Sequence, residues 1–107
     1  MKNLTDAQIE RIHCLQEEAA EIIQISSKIL RHGFESSNPL DESQTTNRRH
    51  LEKELGDLMY WVEQLSENSD INLMNVGISQ EEKSDTAKKY TYYQKGSYHE
   101  SKLKNKW

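Results

Sequence analysis

The sequence predicts an all-α protein, a short bundle of three main helices completed by homo-oligomerisation. Three observations carry this. Apolar residues recur at helical spacing in two long stretches, Ile12 to Leu30 and Leu51 to Leu65. Helix-starting patterns of the Ser/Thr-x-x-Glu/Gln kind precede two predicted helices. The chain has one proline, and no segment alternates with the period of a strand. At 107 residues it is expected to be one domain, 1–95, followed by a polar tail, 96–107. Hydrophobic residues make up only 34% and charged residues 30%. A chain so short buries a modest share of its surface, so a partner subunit is expected to complete the core, as a homodimer or homotetramer.

The first helix is predicted at roughly 5–32. Thr5 at the N-cap and Gln8 three residues on form a capping box, and Leu4 can staple to Ile9. Asp6 suits the positive end of the helix dipole. Ile12, Leu15, Ala19, Ile22, Ile23, Ile29 and Leu30 form its apolar set, and Gly33 suits the position just past its end. A loop follows at 34–46, dense in Ser, Asn, Asp and Thr with Pro39 inside. Its length suits a lid or a binding loop, or a disordered connection. The second helix is predicted at roughly 47–68, capped by Thr46 or Asn47, with the stripe Leu51, Leu55, Leu58, Val62 and Leu65. Residues 69–78 read as a turn with apolar plugs. Ser79 and Glu82 read as a second capping box opening a third helix, roughly 79–94, with Ala87, Tyr90 and Tyr93 on its apolar side and Asp85, Lys88 and Tyr92 on another face. So polar a helix cannot fold alone and must dock. The last dozen residues show no periodicity and are expected to fray, with Trp107 unexplained.

The chemistry is concentrated in two acidic clusters, Glu17-Glu18-Ala19-Ala20-Glu21 and Glu54-Leu55-Gly56-Asp57. A helix turns about 100° per residue, so Glu18 and Glu21 share a face, as do Glu54 and Asp57. Like charges at this spacing repel by a few tenths of a kcal/mol, and hard divalent cations such as Mg²⁺ take oxygen ligands of this kind. The carboxylates lie beside the apolar stripe, which favours coordination over free solvation. Lys28 falls within about 20° of the Glu17/Glu21 line; it is either a solvated lysine or a cation that pairs with the carboxylates or holds a phosphate. Trp61 reads first as packing and second as a base-stacking surface. His50, one turn before Glu54, reads as structural rather than as a ligand.

Net charge is −4, split as −7 over residues 1–78 and +3 over 79–107. The basic end is too weak to argue for duplex DNA, and no nucleic-acid partner is expected. Cys14 is alone, so no intrachain disulfide forms. There is no apolar run of membrane-spanning length and no signal-peptide pattern. A soluble chain without a membrane partner is expected, in the cytoplasm, or in the host cytoplasm for a viral chain.

Both acidic motifs in order, on successive helices with Leu55-Gly56-Asp57-Leu58 around the aspartate, resemble the MazG-like nucleotide pyrophosphohydrolases, the all-α NTP pyrophosphatases. The likeness covers about residues 10–95. Ser27-Lys28-Ile29-Leu30-Arg31-His32-Gly33 and the Lys88/Tyr92 region look like small stand-alone members, including viral ones. The resemblance implies Mg²⁺-dependent attack of water on the α-phosphorus of a nucleoside triphosphate, with Mn²⁺ as a possible substitute, releasing a monophosphate and pyrophosphate. It implies Glu18, Glu21, Glu54 and Asp57 as metal ligands, and Glu17 as the residue that holds or activates the water or completes a further metal site. Lys28, Arg31 and Lys88 are candidates for the outer phosphates, and Tyr92 or Trp61 for the base or ribose. The 32 residues between Glu21 and Glu54 are more than typical members have, which touches substrate choice more than chemistry. Phosphoribosyl-ATP pyrophosphohydrolase is the alternative enzyme. A non-enzymatic acidic module that binds a basic partner is the alternative from another class. A ferritin-like di-iron bundle expects Glu-x-x-His pairs; Glu10-x-x-His13 is the nearest and lies two turns before the acidic cluster.

Overall fold

A computed structural model describes residues 3–99; the expectation about Trp107, and most of the 96–107 tail, lies outside the described residues. Among those residues there are three α-helices and no strand: α1 (Asp6–His32), α2 (Asn47–Glu67) and α3 (Leu73–Tyr90). The chain divides after Ile71 into two compact units. None of these helices is long and apolar enough to cross a membrane.

The first unit is the α1–α2 hairpin. α1 starts where the capping box places it. The Gln8 N–H donates to Thr5 Oγ1 at 3.1 Å, and the Thr5 N–H donates to Gln8 Oε1 at 2.9 Å. It ends at Gly33, whose φ of +89° is disfavoured for a side chain and whose N–H closes on the Ile29 carbonyl at 2.7 Å. The loop from 34 to 46 is tied down rather than loose. Ser37 and Thr46 form an isolated antiparallel bridge. The N–H groups of Asn47 and Arg48, which open α2 and have no partner within it, donate to the carbonyls of Ser36 and Phe34, each at 2.8 Å. The buried Asn47 side chain donates to the Gly33 carbonyl at 3.1 Å, and Arg48 pairs with Glu35 at 2.7 Å while lying over the Phe34 ring. The end of α1 is thereby fastened to the start of α2. At the opposite end of the hairpin, Gln8 and Arg11 donate to Asp70, just beyond α2, at 2.9 and 2.7 Å. The two helices therefore run antiparallel. Ile25 and Leu65 are their buried apolar residues, while Ile9, Ile12, Ile23, Leu30, Leu55 and Met59 stay exposed.

The second unit begins at Asn72, and its helix departs from the expected bounds. α3 starts at Leu73, six residues before the predicted start, because the Asn72 side chain caps it by accepting from the Met74 N–H at 2.8 Å. The apolar residues read as turn plugs form its first turns, and Ser79 and Glu82 lie inside it. It ends at Tyr90 rather than 94. Thr91 is extended, and its hydroxyl donates to the Ala87 carbonyl at 2.8 Å. The start of the expected tail does not fray: the Tyr98 N–H donates to the Lys88 carbonyl at 2.9 Å, and the buried Ser97 hydroxyl donates to the Thr91 carbonyl.

Candidate metal centre

Halfway along the hairpin, α1 presents Glu18 and Glu21 and α2 presents Glu54. One carboxylate oxygen from each lies within 4.8 Å of the others. The spacing of three puts Glu18 and Glu21 on one face of α1, and the antiparallel register brings Glu54 across to them. Glu18 and Glu54 each keep one buried oxygen, Oε2, with no hydrogen-bond partner. A buried carboxylate oxygen without a donor costs free energy, so the cluster is an unfilled acceptor set. Desolvation is the main cause that raises the Glu18 carboxyl above the usual range, with the charges of Glu21 and Asp57 adding to it and a hydrogen bond with Glu54 opposing. Glu21 is raised chiefly by Glu54, through a hydrogen bond and its charge, and then by desolvation.

Asp57 stands outside this trio. Its Oδ2 accepts from Lys53 Nζ at 2.8 Å, and the same ammonium lies 3.7 Å from Glu54 Oε1. Lys53, one turn before Asp57, is the cation that sequence reasoning passed over, although the i,i+4 spacing of Lys and Asp is a known pairing. Glu17 is exposed on α1 and is not part of the trio.

A small cleft of about 240 Å³ opens beside the trio, lined by Glu21, Gln24, Ile25, Lys28, His50 and Glu54. Lys28 and His50 also line a larger cleft of about 660 Å³ under the loop, with Arg31, His32, Asn38 and Asp41 on its walls. The two clefts therefore share a boundary, and Lys28 stands on it. Among the described residues Lys28 and Arg31 have no ion-pair partner. Lys28 lines the smaller cleft together with Glu21 and Glu54, whereas Arg31 lines only the larger one. His50, read from sequence as structural, lines both clefts and lowers the Asp41 carboxyl by its charge, an effect smaller than that of the hydrogen bonds from Ser43. The fold thus gathers Glu18, Glu21 and Glu54 into one cluster and sets Lys28 and His50 beside two of them, around one cleft.

Trp61 lines neither cleft; it is half-buried, with Tyr60 edge-on at 5.0 Å between ring centroids. Lys88 and Tyr92 belong to the second unit. Lys88 sits 3.4 Å from Asp85, and Tyr92 lies past the end of α3, stacked on His99 at 4.1 Å. The shared helical face expected for Asp85, Lys88 and Tyr92 therefore holds only for the first two.

Compared with protein families, curated proteins and solved structures, the chain gives no match.

Proposed function

We propose that the chain is a Mg²⁺-dependent nucleoside triphosphate pyrophosphohydrolase, converting a (d)NTP and water to a (d)NMP and pyrophosphate. The observation that carries this reading is the pair of buried, unpartnered oxygens of Glu18 and Glu54 inside a three-glutamate cluster. An all-oxygen, multiply charged donor set fits a hard divalent cation, and Mn²⁺ would substitute for Mg²⁺.

Glu18, Glu21 and Glu54 would hold the ion. Asp57 joins them when the exposed Lys53 swings away. When bound, Mg²⁺ supplies positive charge to the phosphate oxygens and acidifies a water. The remaining work falls to the chain's own side chains, and is mostly positioning and charge neutralisation. Lys28 and Arg31 grip the outer phosphates from the cleft, and the positive charge they place there favours pyrophosphate as the leaving group. Glu17, on the solvent side of α1, holds the attacking water and takes its proton on a carboxylate oxygen. The loop from 34 to 46 walls the cleft and sets which nucleoside fits, with Trp61 as a further surface for the base or ribose. The working form is a homo-oligomer, since a single copy leaves Ile9, Ile12, Ile23 and Leu30 of α1 exposed.

Pyrophosphate release from a panel of NTPs and dNTPs, with phosphoribosyl-ATP included, tests this reading. Turnover should require Mg²⁺ or Mn²⁺ and stop with EDTA. Glu21→Gln and Asp57→Asn should each cut it by roughly 10²-fold or more while far-ultraviolet circular dichroism stays helical. Turnover of phosphoribosyl-ATP alone would replace the substrate class. Absence of turnover on every substrate, or full turnover in both variants, overturns the reading.

A further inference from the structure

The last turn of α3 and the segment after it combine cations and aromatic rings. Residues 88–99 hold Lys88, Lys89 and Lys95, four of the chain's five tyrosines and His99, with no acid and no Leu, Ile, Val, Met or Phe. The sequence from 88 to 107 has six lysines against one glutamate, on a chain whose net charge is −4. The stretch up to His99 is folded back and tied. The Tyr98 N–H donates to the Lys88 carbonyl at 2.9 Å, and the buried Ser97 hydroxyl donates to the Thr91 carbonyl and accepts from the His99 N–H. Gly96, at a φ of +80°, makes the bend. The two ends of the stretch thereby meet, while the rings of Tyr90, Tyr92, Tyr93 and Tyr98 stay between 51% and 77% exposed.

We propose that this knot binds single-stranded nucleic acid, its tyrosines stacking on unpaired bases while Lys89 and Lys95 meet the phosphates. One exposed tyrosine needs no explanation. Four on one tied backbone form aromatic surface that is already ordered, so binding a flat ring there costs little further ordering. The stacking geometry is present: Tyr92 and His99 lie 4.1 Å apart between centroids with their planes 16° from parallel, and a base extends such a stack as a further layer. Lys88 pairs with Asp85, whereas Lys89 and Lys95 have no ion-pair partner among the described residues. Cations and rings belong to the same short segment, which is the combination that tracks a single strand. The charge is too weak for a duplex, whose bases also hide their faces in the stack. A membrane surface calls for aliphatic side chains to insert, and residues 88–99 have none. The site uses no residue of the carboxylate trio and is independent of the catalytic reading.

Fluorescence anisotropy of labelled oligo-dT and oligo-U, each about 15 nucleotides long, tests this with the full chain at about 50 mM salt. EDTA in the buffer keeps the metal centre out of the measurement. Either strand should bind, and a preference between them names the sugar. The logarithm of affinity should fall against that of salt concentration by about 0.7 per phosphate contacted, and Lys89→Gln combined with Lys95→Gln should flatten that slope by roughly 1.4. Tyr93→Ala and Tyr98→Ala should each weaken binding roughly 5- to 150-fold, whereas Tyr93→Phe and Tyr98→Phe keep the ring and should keep the affinity. Circular dichroism of each variant should stay helical. An abasic strand of the same length should bind the unmodified chain more weakly by a similar factor, a comparison that needs no variant. The proposal is overturned by a flat anisotropy with both strands, or by an abasic strand or a duplex that binds as tightly as oligo-dT. Retention on phosphatidylserine vesicles in preference to the strands would make the knot a membrane contact and overturn it as well. Pyrophosphate release with Mg²⁺, scored separately, keeps either outcome distinct from failure of the catalytic reading.

Discussion

Asp70 and Glu18 are carboxylates of the same hairpin held in opposite ways. Asp70 receives the Arg11 guanidinium at one oxygen and the Gln8 amide at the other, with only 10% of its side chain exposed. Those donors, Arg11 first, hold its carboxyl below the usual aspartate range. Glu18 has an oxygen with no donor, and its carboxyl is raised. For Asp70 the sign of the linkage is plain: the unfolded carboxyl binds its proton at higher pH than the folded one, so protonation favours unfolding. The clamp contributes fully above the ordinary aspartate value and is lost as pH falls through the lowered folded value. Asp70→Asn should therefore lower the melting temperature at neutral pH and flatten the loss of stability in that acid window. Circular dichroism melts from neutral to strongly acid pH check this, and parallel curves for the two proteins would remove the clamp from the stability of the hairpin. Gln8 serves twice, with its side-chain oxygen in the capping box and its amide nitrogen on Asp70. Its replacement should fray the start of α1 as well as loosen Asp70.

At the scale of elements, α1 and α2 were legible because local chemistry and tertiary packing agree. Thr5, Gln8 and Gly33 mark the ends of α1, and Thr46 caps α2 by accepting from the Arg49 N–H at 3.2 Å. The third helix was misread because two cap-competent residues compete. Ser79-x-x-Glu82 satisfies the capping-box pattern, but Asn72 is the residue whose side chain does the capping, and nothing in the local pattern ranks the two. Asn72→Ala should cost roughly 0.5–2 kcal/mol of helix stability. Ser79→Ala, inside α3, should be neutral or slightly stabilising, since alanine is the better helix former by a few tenths of a kcal/mol. Ellipticity at 222 nm during thermal melts separates them; a larger loss in the serine variant would put the start of the helix at 79 after all. In the core, Leu65→Ala should cost on the order of 2–5 kcal/mol, because Leu65 is buried where few other apolar side chains are. The carboxylates at a spacing of three were legible for the same reason as the helices. The cleft was not. Lys28 and His50 line the same wall from different helices, and the Asp70 clamp joins residues 59 and 62 positions apart; no local pattern encodes either.

For the molecule as a whole, the carboxylate trio is a liability unless a cation fills it. Three glutamates share one small volume, two of their oxygens have no donor, and the ammonium paired with Glu54, Lys53, is held more closely by Asp57. An ion that binds this arrangement and not the unfolded chain stabilises the fold by mass action, by about 2.7 kcal/mol at a hundred times its dissociation constant. For a chain of this size that corresponds to a rise in melting temperature on the order of 10 °C. Millimolar Mg²⁺ or Mn²⁺ should produce such a rise, and EDTA should reverse it. Glu54→Gln removes one charge from the crowd, so in EDTA the variant should melt above the unmodified chain, yet gain little from Mg²⁺. Both effects come from the same substitution with opposite signs, which no general loss of folding can imitate. The homo-oligomer proposed above would also make the melting temperature rise with protein concentration. That dependence should persist in Glu54→Gln and disappear in Ile23→Glu, which puts a charge on an exposed apolar position of α1, so the two sources of stability separate in one set of melts. An equal Mg²⁺ response in the unmodified chain and Glu54→Gln, or none in either, would mean that the trio is not where the cation binds.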